Sequence, residues 1–78
     1  MKQFNYELDY SRIKDLRLQK KLSQKEIANY LGISIAAYSQ FERMDTLIPI
    51  ELLNKLSNYY NVSLDYLLKI TDNPDITI

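Results

Sequence analysis

Residues 22–43 read Leu-Ser-Gln-Lys-Glu-Ile-Ala-Asn-Tyr-Leu-Gly-Ile-Ser-Ile-Ala-Ala-Tyr-Ser-Gln-Phe-Glu-Arg, and they contain clear local signals for helix starts and a helix end. Ser23 and Glu26 have the spacing of a capping box, in which each side chain satisfies a backbone N–H of the other at the start of a helix. Gly32 stands where a helix C-terminus favours a left-handed residue. Ser34 follows two residues later and can cap another helix. The stretch therefore predicts two short helices joined by a tight turn.

Helical spacing of apolar residues continues on both sides of this stretch. The residues that predict helix starts are Asp9, Ser23, Ser34, Pro49 and Ser63. The predicted core-facing residues are Ile13, Leu16, Ile27, Ala28, Leu31, Tyr38, Phe41, Leu52, Leu53, Leu56, Tyr60, Leu64, Leu67 and Leu68. No strand-like alternation of useful length is present. We therefore predict an all-α fold, a compact bundle of five short helices.

The length of the chain restricts its organisation to one domain. A chain of 78 residues buries roughly 60% of the surface that it exposes when unfolded. We predict an N-terminal extension over residues 1–8, the helical domain over 9–71 and a flexible tail over 72–78.

No apolar run approaches the roughly 20 residues of a membrane span, and the N-terminus lacks the apolar segment of a signal peptide. We therefore expect a cytoplasmic protein with no membrane contact.

The composition excludes several kinds of chemistry. The chain has no Cys, no His and only one Gly. It therefore lacks a disulfide, a thiolate zinc site, a cysteine nucleophile and an imidazole base, and it cannot form a glycine-rich phosphate loop. No nucleophile–base pair and no pair of catalytic carboxylates stands out. We predict that the protein is not an enzyme and needs no cofactor, metal ion or small-molecule ligand.

The charges are balanced in number but not in position. Ten basic and ten acidic residues give a formal net charge of zero. Residues 1–39 carry seven cationic side chains against four carboxylates, whereas residues 40–78 carry three against six. An anionic partner responds to a local patch of charge, not to the total. The cations of the first two predicted helices form such a patch, at Lys14, Lys20, Lys21 and Lys25.

Two short capped helices joined by a turn that contains Gly have the pattern of a helix-turn-helix. The sequence around them resembles the phage repressor/Cro-like family, often called the Xre family, over about residues 10–70. The matching segments, in order and at the family's spacing, are Arg-Ile-Lys-Asp-Leu-Arg at 12–17, Leu-Ser-Gln-Lys-Glu-Ile-Ala at 22–28, Leu-Gly-Ile-Ser at 31–34, Tyr-Ser-Gln-Phe-Glu-Arg at 38–43 and Asn-Val-Ser-Leu-Asp-Tyr-Leu-Leu at 61–68. Five segments in register make this a specific match.

The resemblance implies sequence-specific binding of double-stranded DNA by a homodimer on a palindromic operator, as in a transcriptional repressor. The second motif helix would enter the major groove. Matched by position, the residues that would contact bases are Ile35, Ala36, Ser39 and Gln40. Those that would contact phosphates are Ser23, Gln24, Lys25, Ser34 and Arg43. In some relatives the positions of Arg17 and Glu42 form a semi-buried ion pair.

Each of these positions also has a simpler interpretation. The two serines cap helices whether or not DNA binds. Gln40 has an amide that can bond an adenine edge through two hydrogen bonds, whereas Gln24 is either a phosphate ligand or an exposed helix residue. Ile35 and Ala36 either contact thymine methyl groups or pack on a partner protein. The arginine and glutamate of the implied ion pair are otherwise two unconnected surface charges.

The loop after the second motif helix departs from the family pattern. Relatives often carry Gly and then Lys or Arg before a Pro, whereas residues 44–48 read Met-Asp-Thr-Leu-Ile without a cation. Because phosphate neutralisation supplies most non-specific affinity, this surface predicts weak binding with a shallow salt dependence. Leu47, Ile48 and Ile50 belong either to the core or to a protein-contact patch. The alternative function is therefore a protein–protein interaction module with weak or no DNA binding.

Overall fold

A computed structural model describes residues 9–75 of the chain, so the extension predicted over 1–8 and the end of the predicted tail at 76–78 lie outside the described residues. Within 9–75 the chain forms five α-helices and no strand. The helices are α1 (Ser11–Gln19), α2 (Gln24–Leu31), α3 (Ile35–Glu42), α4 (Ile50–Tyr60) and α5 (Leu64–Leu67). The predicted all-α bundle of five helices is confirmed. None of these helices has the length and apolar character that a membrane crossing needs.

Serine side chains start three of the helices, as the sequence predicts. Ser23 and Glu26 form the complete capping box of α2. Ser34 accepts a hydrogen bond from the Ala37 N–H at the start of α3, and Ser63 does the same for α5. These bonds satisfy backbone donors that the first turn of a helix leaves without a partner.

The starts of α1 and α4 differ by one residue from the prediction. At α1 the N-cap is Tyr10 and not Asp9, although the Asp9 carboxylate accepts from the Ser11 N–H at 2.9 Å. The hydrogen bonds with Ser11 hold the pKa of the Asp9 carboxyl below its ordinary value. At α4 Pro49 is the N-cap in an extended conformation (φ −59°, ψ 147°), and the helix begins at Ile50.

All five helices end in the same way, in a Schellman motif. In each motif, the N–H of a left-handed residue donates to the carbonyl three residues earlier. The N–H of the next residue donates to the carbonyl five residues before it. The left-handed residues are Lys21, Gly32, Met44, Asn61 and Lys69. Only one of them is glycine, so four ends require a side-chain-bearing residue to adopt a conformation that costs roughly 1–2 kcal/mol.

Each helix contributes one large, fully buried side chain to a single core. These residues are Ile13, Ile27, Tyr38, Leu56 and Leu67. The remaining predicted core residues are buried or pack partly buried against this cluster, with Leu52, Leu64 and Leu68 at its margin. The predicted core is therefore confirmed.

The apolar stretch before α4 divides between core and surface. Ile48 is buried, and its N–H donates to the Tyr10 hydroxyl at 3.1 Å. Leu47 and Ile50 are each more than half exposed. The core interpretation therefore applies to Ile48, and a protein contact through Leu47 and Ile50 stays a prediction.

The segment after α5 lies against α1. Arg12 donates through Nη1 to the Tyr66 and Thr71 carbonyls, each at 3.0 Å, and its guanidinium lies 4.0 Å from the centroid of the Tyr66 ring. Its Nη2 lies 3.3 Å from an Asp72 carboxylate oxygen. The Ser63 N–H donates to the Pro74 carbonyl. These contacts connect residues 71–74 to the helices; the flexibility predicted for 72–78 stays a prediction.

Candidate nucleic-acid interface

One side of α3 is available to a partner. The helix turns Tyr38, Phe41 and Glu42 into the protein. On its other side the structure brings together Ile35, Ala36, Ser39, Gln40 and Arg43, which we call the α3 face. Ser39 is half-buried and the other four are exposed. All four residues predicted to contact bases therefore lie on one accessible surface.

The turn between α2 and α3 sets the angle at which this face is presented. Gly32 ends α2 with φ 76° and ψ 30°, in the left-handed region. A Cβ added to Gly32 would meet no atom within 4 Å, so a side chain would not clash with its neighbours. Glycine is favoured here because it adopts the left-handed backbone conformation without a penalty. The α2–α3 pair makes the most extensive contact between any two helices of residues 9–75. Together they form the two-helix unit that the sequence predicted.

A buried ion pair joins α1 to the end of α3. Arg17 donates through Nε to Glu42 Oε2 at 2.7 Å and through Nη2 to Oε1 at 3.1 Å. The side chains are only 10% and 3% exposed. The third nitrogen, Nη1, donates to the Leu22 carbonyl at 2.8 Å. The structure therefore places Arg17 and Glu42 as the predicted pair, in a bidentate geometry that fixes both side chains.

Two further donors reach the same carboxylate. Gln24 of α2 donates through Nε2 to Glu42 Oε1 at 3.0 Å, and the Tyr38 hydroxyl donates to Oε2. Burial alone raises the pKa of Glu42, but the hydrogen bonds from Arg17, Tyr38 and Gln24 outweigh it and leave the pKa below its ordinary value. Burial, followed by the bond to Glu42, raises the pKa of Tyr38. The four residues form a network that locks α1, α2 and α3 together, which we call the Glu42 network.

The residues predicted to contact phosphate lie at both ends of the α3 face. Ser34 caps its N-terminal end. At the other end, the Gln24–Glu42 hydrogen bond places the N-terminus of α2, with Ser23 and exposed Lys25, beside the C-terminus of α3. The Gln24 side chain itself is engaged within the Glu42 network. Its position at the first residue of α2 leaves the backbone N–H among those that a helix N-terminus can offer to an anion.

Arg43, the last of the predicted phosphate ligands, already has partners within the chain. Its Nη1 donates to Ser39 Oγ at 2.6 Å, and its Nε donates to Asp45 Oδ2 at 2.9 Å. Both members of the Arg43–Asp45 pair are more than half exposed. Sequence reasoning missed the role of Asp45 and the bond from Tyr38 to Glu42. The i, i+4 spacing of Tyr38 and Glu42 on α3 was a usable signal for the second contact.

This arrangement defines the class of the protein. Five helices, a capped two-helix unit with a tight glycine turn and an exposed second helix are the features of a helix-turn-helix domain. Residues 13–67 match the family model HTH_3, helix-turn-helix, and the chain belongs to this family. The resemblance to phage repressors noted from the sequence is confirmed.

Particular relatives extend this result. The chain is 36% identical over 64 residues to the uncharacterized HTH-type transcriptional regulator YobD of Bacillus subtilis (strain 168), a match covering 82% of this chain and 57% of YobD. It is 35% identical over 52 residues to the cryptic phage CTXphi transcriptional repressor RstR of Vibrio cholerae, covering 67% of this chain and 47% of RstR. The chain thus spans about half the length of the curated relatives it matches.

One solved structure matches this protein over almost the whole length of the solved chain. The P22 c2 repressor, crystallised in complex with the synthetic operator 9T in the presence of Tl+, is 38% identical with a TM-score of 0.72. The match covers 82% of this chain and 97% of the repressor chain. Residues 9–75 therefore share their fold with this repressor.

Proposed function

We propose that this domain is a DNA-binding transcriptional regulator that places α3 in the major groove of double-stranded DNA. The observation that carries the proposal is the exposed α3 face held rigidly by the Glu42 network, in a fold shared with a repressor that was solved on its operator. A recognition helix must keep its angle to the duplex for side chains to reach base edges. The network supplies that rigidity, since it joins three helices through one buried carboxylate.

Two kinds of base contact fit the chemistry of the α3 face. Gln40 is exposed and carries an amide that can bond adenine N6 and N7 together. Ile35 and Ala36 are exposed apolar side chains at the N-terminal end of α3, where contact with thymine methyl groups would discriminate A·T pairs. Ser39 contributes a hydroxyl that can bond several base edges. The expected operator therefore contains A·T pairs at the positions that α3 faces.

Phosphate contacts would fix the register of this helix on the duplex. Ser23, the Gln24 backbone and Lys25 lie at one end of the α3 face, and Ser34 lies at the other. Helix N-termini bind phosphate through unsatisfied N–H groups and their positive dipole end. Arg43 would add a cationic contact beside the first group.

We also propose that the protein acts as a homodimer on a palindromic operator in the cytoplasm. Leu47 and Ile50, before and at the start of α4, are exposed apolar side chains that suit a contact between two copies. A symmetric dimer presents two α3 faces to two half-sites about one helical turn apart. Occupying an operator in this way would block transcription, which makes repression the proposed mode of action.

The experiment is selection of binding sites from random DNA duplexes at low salt, with the Gln40→Ala variant as control. Wild-type protein should enrich a palindromic motif, and light scattering should give two protein chains per enriched duplex. The variant should lose preference at the positions that Gln40 reads. Enrichment of an asymmetric single half-site, or a one-to-one complex on a full site, would contradict the dimer.

A second function is favoured by one observation, the pairing of Arg43 with Asp45, which neutralises the cation that directly follows α3. With exposed Ile35 at the opposite end of α3, this face also suits a protein partner, and the domain would then be an interaction module with weak or no DNA binding. Absence of any enriched sequence at low salt would support this function and contradict the first.

A further inference from the structure

The cation at the end of the α3 face is isolated along the sequence. Between Lys25 and Lys55 the chain carries no Lys or Arg other than Arg43. If α3 enters the major groove, this guanidinium is the cation of α3 itself that can neutralise a phosphate. Its availability therefore decides whether α3 adds a phosphate contact to those that the lysines of α1 and α2 can make.

The guanidinium is fixed between two neighbours. Ser39 Oγ accepts from Nη1 at 2.6 Å, and Asp45 Oδ2 accepts from Nε at 2.9 Å. The backbone also holds Asp45 in place, because its N–H donates to the Gln40 carbonyl at 2.9 Å as the last bond of the Schellman motif of α3. The position of the carboxylate beside Arg43 thus follows from the way in which the helix ends.

We propose that Asp45 limits the affinity of this domain for DNA by holding Arg43 and cancelling its charge. The inference rests on the proposed function and identifies a device that regulates the same site. Asp45 occupies the Nε–H of the guanidinium, which a phosphate oxygen could otherwise take, and its carboxylate also repels the phosphate. Since both side chains are more than half exposed, the pair is weak enough for a phosphate to displace it, at a cost to each binding event.

Such a residue lowers the affinity for DNA without changing which sequence is preferred. Phosphate contacts raise affinity for all sequences alike, whereas base contacts raise it only for the operator. Cancelling a phosphate-binding charge therefore weakens binding to random DNA and to the operator by the same factor, and the base contacts of α3 alone set the preference for the operator. Asp45 acts through Arg43 and needs no contact with a base.

The test compares Asp45→Asn with Asp65→Asn, a matched control. The asparagine side chain in Asp45→Asn keeps an amide oxygen that can accept from Arg43, and both substitutions change the net charge equally. Asp65 is exposed on α5, which packs on α1 and α4. Dissociation constants are measured over a range of KCl concentrations for the selected operator and for a random duplex.

We expect D45N to bind both duplexes about two- to tenfold more tightly at low salt, the size of effect that a weak surface pair and one added charge produce. The slope of log K against log salt should steepen by about 1, as for one more phosphate neutralised. D65N should change binding by less than about twofold near 0.15 M salt, where a Debye length of about 8 Å screens exposed charges that lie away from the α3 face.

Combining D45N with Arg43→Ala distinguishes an effect of Asp45 through Arg43 from a general effect of net charge. If Asp45 acts through Arg43, D45N should lose most of its gain when Arg43 is absent, which a double-mutant cycle measures. An equal gain in the R43A background, or equal behaviour of D45N and D65N, would overturn the inference while leaving the proposed function intact. Failure of wild-type protein to bind any duplex would overturn both. Thermal melts followed by circular dichroism verify that each variant is folded.

Discussion

At the scale of single residues, Glu42 has the greatest influence on the architecture of the site. Its carboxylate is 3% exposed and accepts hydrogen bonds from three side chains on three helices. A buried ion pair contributes little relative to a well-packed apolar pair, but removing one partner leaves the other buried and uncompensated. The network therefore specifies one arrangement of α1, α2 and α3 more than it adds stability.

We predict that Glu42→Ala lowers the free energy of unfolding by about 3–5 kcal/mol, because the Arg17 guanidinium is left buried without its carboxylate. Urea denaturation followed by circular dichroism measures this. Asp45→Ala, which breaks an exposed pair, should cost no more than about 1 kcal/mol. The double variant Arg17→Met/Glu42→Leu should be more stable than Glu42→Ala alone. A double variant as unstable as the single one would argue against an uncompensated charge as the cause.

The same carboxylate predicts a pH dependence. The pKa of Glu42 in the folded protein lies below its ordinary value of 4.5. At pH values between these two pKa values, the unfolded chain therefore binds more protons than the folded protein. The contribution of Glu42 to stability is therefore fully present above about pH 4.5, and it is lost as the pH falls through the pKa of Glu42 in the folded protein. Urea midpoints between pH 3 and pH 7 should fall less steeply for Glu42→Gln than for wild type. Some slope should remain, since the pKa of Asp9 is lowered as well.

Gln40 carries the prediction for base recognition. Gln40→Ala should weaken binding to the selected operator by about 1–3 kcal/mol and leave binding to random DNA nearly unchanged, since an amide bonds a particular base edge. Titration of labelled duplexes gives both values. Asn54→Ala removes an exposed amide from α4 and should affect neither. Equal loss on the two duplexes would show that Gln40 does not read a base.

The sequence predicts some of these residues better than others for a physical reason. Caps such as Ser34 act over three residues, so local spacing is sufficient to identify them. The bond between Gln24 and Glu42 joins residues 18 apart and depends on the angle between α2 and α3. The bond between Asp45 and Arg43 depends on how α3 ends and on which rotamer each side chain adopts. Neither contact leaves a periodic signal, so each required the structure.

At the scale of helices, the ends are more uniform than the sequence suggests. Five Schellman motifs occur in residues 9–75, but only Gly32 marks one by its residue type. The other four left-handed residues carry side chains, and the bonds and packing around each end hold them in that conformation. Sequence reasoning therefore placed the helices correctly and could not identify four of the five end motifs.

We predict that Met44→Gly stabilises the domain by about 0.5–1 kcal/mol relative to Met44→Ala, because glycine adopts the left-handed conformation without a Cβ penalty. The alanine variant is the matched control: it removes the same exposed side chain and keeps the Cβ. Thermal and urea unfolding measure the difference. Asn61→Gly should gain less, since asparagine enters the left-handed region more easily. Equal stabilities for Met44→Gly and Met44→Ala would mean that the φ of 62° at Met44 carries no strain.

At the scale of the whole molecule, a net charge of zero conceals a division that matches the proposed interface. From residue 9 onward, the exposed lysines before α3 lie on α1, on α2 and in the turn between them. By contrast, α3 and its following loop carry one cation, which Asp45 neutralises. Attraction to DNA would therefore come mainly from the side of α1 and α2. The N-terminus of α2 adds its backbone donors at the same end of the α3 face.

This division predicts that Lys25 and Lys55 contribute differently to DNA binding, although both are exposed lysines. Lys25 lies in the first turn of α2 beside the end of α3, so Lys25→Ala should weaken binding to operator and random DNA alike and reduce the salt slope by about 1. Lys55 lies on α4, and Lys55→Ala should leave the slope unchanged. Measuring both variants over the same KCl series separates local phosphate contact from the effect of net charge, which the two substitutions change equally. If both reduced the slope by the same amount, attraction to DNA would depend on total charge and not on the α1–α2 side.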